Sequence, residues 1–182
     1  MSGPLITCLS GEASNVLFNQ ALIATEISGE MAELGVFKGG SAAMIALVGL
    51  PSGKTVHLFD TFAGFPDGNH GGMFSDTSLE YVMEQLSPLP NVQFHVGLFQ
   101  ETSPAMEGTV WCFVHLDGDL YETTRAGLEF FYPAMSVGGI ILLDDFGRDD
   151  WPGVEKAARE FMTGRPEEFE IVGEHQARIV KL

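Results

Sequence analysis

Apolar residues alternate along the chain between short continuous runs and helical spacing. Residues 13 to 28 carry apolar positions at intervals of three and four, with Gly29 as a stop, which predicts a helix. "EMAELGVF" then reads as a strand, "GGSAAMIALVGL" as a helix ended by Pro51 and Gly53, and "TVHLFD" as a second strand. A Gly- and Pro-rich loop spans 61 to 75. A helix follows over "DTSLEYVMEQL", with Asp76 as its N-cap and Leu79, Val82, Met83 and Leu86 on one face. "NVQFHVG" is a third strand, and Gly97 to Met106 a short irregular or helical piece. "VWCFVHLD" is a fourth strand, "YETTRAGLEFFYPAM" a helix, "GGIILLDDF" a fifth strand and "GVEKAAREFM" the last helix. "FEIVG" and "ARIVKL" close the chain as a hairpin-like pair.

Continuous apolar strands alternating with helices imply an α/β fold with a mostly parallel sheet covered on both faces and an antiparallel strand at one edge. Ligands of such sheets sit beyond the carboxyl ends of the strands, where the strand order switches. The 182 residues fit one domain, residues 1–182, with 1–29 as an N-terminal helix or lid segment. The chain shows no membrane-length apolar run and no signal-peptide form, and its two cysteines make neither a disulfide framework nor a zinc cluster. A cytoplasmic protein that engages no membrane is expected. The formal charge of −16 would repel phosphates and argues against a nucleic-acid partner.

Three stretches carry chemistry. In "ELGVFKGGSA" a strand runs into Gly39 and Gly40 and a helix starts at Ser41; glycines there allow close backbone approach, and the helix start favours an anion. The spacing of Gly35, Gly39 and Gly40 after Glu33 is not the GxGxxG of dinucleotide folds. Asp60, ending strand two 20 residues after Gly40, stands where an acid meets a ribose diol, or caps a turn. Asp117 ends strand four, and Asp144 and Asp145 end strand five, 27 and 28 residues later. If those strands are neighbours, the three carboxylates converge, and hard oxygen donors of this kind suit Mg²⁺, Mn²⁺ or Ca²⁺. Asp144 or Asp145 could instead cap the following loop. Asp119, with Glu122 three residues on, is expected to cap the helix that starts at Leu120. His57 and His95 read as core or face residues. His115 shares a strand face with Asp117, and His70 in the long loop is either a base or a solvated loop residue.

"AELGVFKGGSA", "LFDTFAGFP", "GLFQETSP", "LDGDLYETT", "FYPAMSVGGIILLDDFG" and "WPGVEKAAREF" occur in an order that closely resembles the macrocin O-methyltransferase family, over Glu30 to Met162. The resemblance implies a Rossmann-like class I methyltransferase fold of seven strands. It also implies S-adenosylmethionine and a divalent cation such as Mg²⁺ as cofactors, and a sugar or phenolic hydroxyl of a small molecule as acceptor. It places Glu33, Gly35, Gly39, Gly40 and Ser41 on the methionine part of the cofactor, Asp60 on the ribose, and Gly97, Leu98 and Phe99 near the adenine. Asp117, Asp144 and Asp145 become metal ligands, with Asp117 or His70 as the catalytic proton acceptor. Leu98 stands where the family often has tryptophan, and the resemblance implies a longer N-terminal lid and a longer insertion after strand two in members that act on large natural products. Apolar residues of the first helix (Val16, Leu17, Phe18, Leu22, Ile23) would cover the cofactor or a second subunit of a homo-oligomer. The competing readings are a metal-dependent glycosyltransferase using Asp117 and Asp119, an NAD-dependent oxidoreductase, a hydroxylase-like relative, and a non-catalytic cofactor binder.

Overall fold

The structure is a computed structural model that describes residues 5–65, 70 and 72–182. Its elements run α1 (Gly11–Ala24), β1 (Glu30–Leu34), α2 (Gly40–Gly49), β2 (Val56–Asp60), α3 (Leu79–Leu86), β3 (Val92–Val96), α4 (Phe99–Thr102), β4 (Trp111–Leu116), α5 (Tyr121–Phe131), β5 (Met135–Leu143), α6 (Pro152–Met162), β6 (Glu170–Gly173) and β7 (Gln176–Val180). The sheet order is β3-β2-β1-β4-β5-β7-β6. β1 to β5 pair in parallel; β7 is antiparallel to both of its neighbours. The antiparallel strand therefore lies one place inside the edge, and β6 takes the edge itself.

Both sheet faces are covered, as the continuous apolar strands require. On one face α1, α2 and α3 press Leu17, Ala21, Ile45, Val82 and Leu86 onto Met31, Leu58, Phe113 and Leu142. On the other, α4, α5 and α6 press Phe99, Leu128, Phe131 and Phe161 onto Leu34, Phe59, Val114 and Leu143. Phe131 and Leu128 are fully buried, each contributing about 1.5–3 kcal/mol of apolar burial. No helix among the described residues is long and apolar enough to cross a membrane.

Two helix starts differ from the sequence expectation. α1 begins at Gly11, because the Ser10 side chain accepts the Ala13 N–H, and it ends at Ala24, ahead of the tight turn at Gly29. α3 is capped by Ser78, whose hydroxyl accepts the Tyr81 N–H at 3.2 Å. Asp76 does not cap it: its carboxylate is held by Lys38 Nζ at 2.5 Å.

The strand order reverses between β1 and β4. The ladder continues past both strand ends, with the Asp117 N–H donating to Leu34 O and the Asp144 N–H to Leu116 O, each at 2.9 Å. Because side chains alternate along a strand, the register Glu33↔His115↔Leu142 sets Asp117 and Asp144 side by side, one step further along the same face.

Candidate active site

The crevice beyond β1 and β4 is a cavity of about 1010 Å³. Gly35, Gly40, Ser41, Asp60, His70, Gly97, Leu98, Phe99, Asp117, Asp144 and Asp145 all line it, so most of the residues singled out from sequence meet in one place. Glu33 and Gly39 do not line it. The first helix does not cover the crevice either; Ile6 to Leu9, just before it, form part of the wall.

The glycine turn is a close crossing of chains. Gly35 has φ +91°, and a Cβ there would stand 1.9 Å from Asp117 O; Gly40 likewise leaves room for Ile6 O. Asp60 braces this turn from β2. One carboxylate oxygen accepts the N–H groups of Val36 (2.7 Å) and Phe37 (2.9 Å), and the other accepts that of Phe62 (2.8 Å). The turn-capping role is thus present in the structure, and any ribose contact would use the lone pairs that remain.

Glu33 lies beneath the turn. Its carboxyl, fully buried, sits 2.9 Å from His115 Nδ1, also fully buried. Burial pushes the Glu33 carboxyl up, and His115 and Ser41 oppose that rise. The other strand histidines bond to each other, His57 Nδ1 to His95 Nε2 at 3.0 Å; burial depresses both, His57 to about 4. Cys112 is buried and free, its thiol raised to about 11 by burial, and Cys8 is free and exposed.

The carboxylate end differs from the expectation in one member. Oxygens of Asp117, Asp119 and Asp145 all lie within 4.8 Å of one another. Asp119 is not the helix cap: Leu120 takes that position, and no side chain caps the end of α5. Asp119 and Asp145 both adopt the left-handed region, at φ 58° and 56°, which turns their carboxylates toward Asp117. Aspartate tolerates this conformation better than most residues. Asp144 stands next to the group and is held from the side, its Oδ1 accepting Gln176 Nε2 at 2.6 Å. Arg148 Nη1 donates to Asp145 Oδ1 at 2.9 Å, and Nη2 to Asp150 at 3.2 Å.

Burial first, and the neighbouring aspartates after it, raise Asp117 well above the usual carboxylate range. Burial and Asp145 raise Asp119 to about 8. Asp144 is raised by burial too, against the pull of His115 and Gln176. Crowded carboxylates of this kind hold protons or a cation.

The sequence reading missed a wall of aromatic rings that lines the same cavity as the carboxylates. Phe65, His70 and Phe74 come from the loop after β2, and Trp151 from the turn before α6. Phe65 lies 4.9 Å from His70, 5.4 Å from Phe74 and 5.9 Å from Trp151 between ring centroids. Phe65 and Phe74 were visible as aromatics in a glycine-rich loop, but nothing local links them to Trp151.

A mostly parallel sheet with this order and an antiparallel β7, a glycine turn after β1 and acids at the ends of β4 and β5 define the class I methyltransferase fold. Solved structures agree: the O-methyltransferase NovP superposes with a TM-score of 0.86 at 23% identity, covering 96% of this chain and 81% of that one. The calicheamicin methyltransferase CalS11 superposes with a TM-score of 0.75 at 25% identity, covering 92% and 76%. Residues 16–167 match the macrocin O-methyltransferase (TylF) family, and the chain belongs to it. Among curated relatives, the 8-demethyl-8-(2,3-dimethoxy-alpha-L-rhamnosyl)-tetracenomycin-C 4'-O-methyltransferase of Streptomyces olivaceus is 30% identical over 71% of this chain and 58% of its own length. The demethyldecarbamoylnovobiocin O-methyltransferase of Streptomyces niveus is 29% identical over 69% and 55%. The chain thus spans a little over half the length of the curated relatives it matches.

Proposed function

We propose that the protein is an S-adenosylmethionine-dependent O-methyltransferase acting on a hydroxyl of a small natural-product molecule. One observation carries the reading: a glycine turn and a set of converging carboxylates share one cavity at the switch point of a TylF-family fold. Relatives named for methylating glycosylated tetracenomycin and novobiocin precursors, and a neighbour named a TDP-rhamnose 3'-O-methyltransferase, support a sugar hydroxyl as acceptor. Neighbours of the same fold have been solved with S-adenosylmethionine or its product bound.

In this reading Gly35, Gly40, Ser41 and Asp60 hold the methionine and ribose parts of the cofactor, and Gly97, Leu98 and Phe99 the adenine. Glu33 supports Ser41 from below, and Gly39 forms the turn. The carboxylates Asp117, Asp119 and Asp145, with Asp144 beside them, have the hard oxygen donors that fit Mg²⁺ or a similar ion. When bound, such an ion would lower the pKa of an acceptor hydroxyl. The chain itself aligns that hydroxyl and removes its proton, at Asp117 or at His70, both of which line the cavity. The free thiols fit a reducing cytoplasm. The apolar side chains that α1 leaves exposed, Phe18, Leu22 and Ile23, are where a second copy would pack.

The test is methyl transfer to a glycosylated acceptor with and without Mg²⁺, alongside thermal protection by S-adenosylhomocysteine. Wild type is expected to show both metal-stimulated turnover and protection. Asp144→Ala combined with Asp145→Ala should lose the metal stimulation while keeping the protection. Undiminished metal-stimulated turnover in that variant would sink the metal assignment, and protection by UDP-sugars instead would return the glycosyltransferase reading.

A further inference from the structure

Two buried polar side chains converge on Asp144, and the packing of the sheet asks for neither. Gln176 opens β7, is 2% exposed and donates from Nε2 to Asp144 Oδ1 at 2.6 Å. The antiparallel ladder pairs Leu143 with Ala177, so Gln176 stands directly beside Asp144 across the β5–β7 pair. Its Oε1 is buried and has no partner among the described residues. His115 lies on the opposite side, in β4. It is fully buried, and its register with Leu142 puts it on the sheet face that Asp117 and Asp144 share. Its Nδ1 is fixed 2.9 Å from Glu33 Oε1, while its Nε2 is buried without a partner among the described residues. Burial raises the Asp144 carboxyl, and of the groups that oppose the rise His115 is the first and Gln176 the second. An apolar side chain would fill either place at less cost than an amide or imidazole with an orphaned polar atom. The two residues are therefore explained by the carboxylate between them, not by the core.

The crevice aspartates are held with unequal rigidity. Asp145 is gripped by Arg148, a long side chain that is 39% exposed and also reaches Asp150. Such a side chain can follow its carboxylate when a ligand arrives. Gln176 and His115 cannot, because both are buried and both grow from sheet strands. The Gln176 bond engages Oδ1 on the β7 side, and Asp144 stands outside the group formed by oxygens of Asp117, Asp119 and Asp145.

We infer that Gln176 and His115, the latter oriented by Glu33, are positioning residues that set Asp144 Oδ2 as the fixed edge of the cation seat, to which the other carboxylates adjust. The inference rests on the reading that these aspartates hold a divalent ion, and it names the residues that decide where the ion sits. A carboxylate oriented before the ion arrives does not have to be ordered by it, which is how buried outer partners raise metal affinity. β4 and β5 separate β7 from β1 and its glycine turn, so Gln176 acts on the ion and not on the cofactor.

The experiment titrates Mn²⁺, a probe for hard oxygen sites, into the full chain saturated with S-adenosylhomocysteine and reads the free ion by electron paramagnetic resonance. Affinity for S-adenosylhomocysteine is measured on the same proteins by calorimetry. Gln176→Met keeps the length of the side chain and removes the donor. It should weaken Mn²⁺ binding about tenfold or more and change S-adenosylhomocysteine affinity by less than about twofold. His115→Gln places an amide near the Nε2 position, and His115→Asn places one near Nδ1, beside Glu33. The first should keep Mn²⁺ affinity within about threefold and the second should lose about tenfold; the reverse order would overturn the part given to His115. Wild-type Mn²⁺ affinity in Gln176→Met would overturn the inference. So would equal losses of Mn²⁺ and S-adenosylhomocysteine binding, the mark of a merely structural role. If the His115 variants do not fold, Gln176→Met decides by itself. Wild type that binds S-adenosylhomocysteine but no Mn²⁺ would overturn the cation reading and this inference with it, and wild type that binds neither would overturn the methyltransferase reading as well.

Discussion

Asp119 is the residue whose role the structure changes most, and Asp119→Asn isolates that role. Asparagine keeps the shape and tolerates the left-handed backbone at φ 58°, so the substitution removes charge and little else. At the 4.8 Å that bounds the carboxylate group, two unit charges repel by about 3.5 kcal/mol at an effective dielectric of about 20. Asp119 faces two such partners, Asp117 and Asp145. Arg148 and retained protons already relieve part of this, so about 2–3 kcal/mol is a reasonable gain from removing the charge at pH 8. In a domain of this size that raises Tm by roughly 5–10 °C.

The pH dependence supplies a second readout. The Asp119 carboxyl, ordinarily near 3.8, is raised to about 8 in the folded protein. Between those values the folded chain holds a proton that the unfolded chain has released. Its contribution is therefore fully present below pH 4 and is lost as the pH climbs toward 8. Metal-free wild type should lose stability over that window, Asp119→Asn should lose less, and the two should converge at low pH. Thermal melts at pH 5 and pH 8 in chelator, repeated with Mg²⁺, measure all three. Mg²⁺ should stabilise wild type more than the variant at pH 8. If Asp119→Asn lowers Tm equally at both pH values, Asp119 is a structural cap or turn residue and the electrostatic account is wrong.

Gly35→Ala should cost about 3 kcal/mol or more, because φ is +91° and the new methyl would meet Asp117 O at 1.9 Å. Gly53→Ala, at φ +67° with nothing within 4 Å, should cost only about 1 kcal/mol, and equal losses in thermal melts would contradict the crossing geometry. Asp60→Ala should lower stability by about 3 kcal/mol, since it strips the acceptor from the Val36, Phe37 and Phe62 N–H groups. A variant that weakens S-adenosylhomocysteine binding at unchanged Tm would show instead that Asp60 serves only the ribose.

The sheet was legible because its signal is local. Runs such as "VWCFVHL" are apolar on both faces, and each lies between helical spacings or turn residues, so the strands and their succession along the chain could be read directly, though not that the antiparallel strand would lie inside the edge. The glycine turn and the aspartates at 117, 144 and 145 were legible for a related reason: they end strands, and parallel strands end together. What escaped depends on contacts between distant segments. Asp119 looked like a cap because it precedes a helix, and only its left-handed backbone, next to that of Asp145, turns it into the carboxylate group. Gln176, in the last strand, gives no sign in sequence that it will hold Asp144. Asp76 was drawn off its helix by Lys38, 38 residues earlier, which no capping rule anticipates.

The features that define the site share an energetic sign. Asp119 and Asp145 hold backbone conformations that cost about 1–3 kcal/mol each. Their carboxylates repel one another and Asp117. Glu33 is buried without access to water, against a histidine as buried as itself. None of these stabilises the empty fold. They persist because the surrounding structure over-determines them: β1, β4 and β5 continue their ladder through Asp117 and Asp144, Asp60 pins the glycine turn, and Gln176 and Arg148 grip the carboxylates from the sides. A ligand that supplies positive charge to the aspartates should therefore return stability as well as chemistry. By linkage, the stability gained from such a ligand rises with the logarithm of its concentration. The pH at which that gain is greatest should follow the deprotonation of Asp119, with its carboxyl near 8, and not the pH at which the empty protein is most stable.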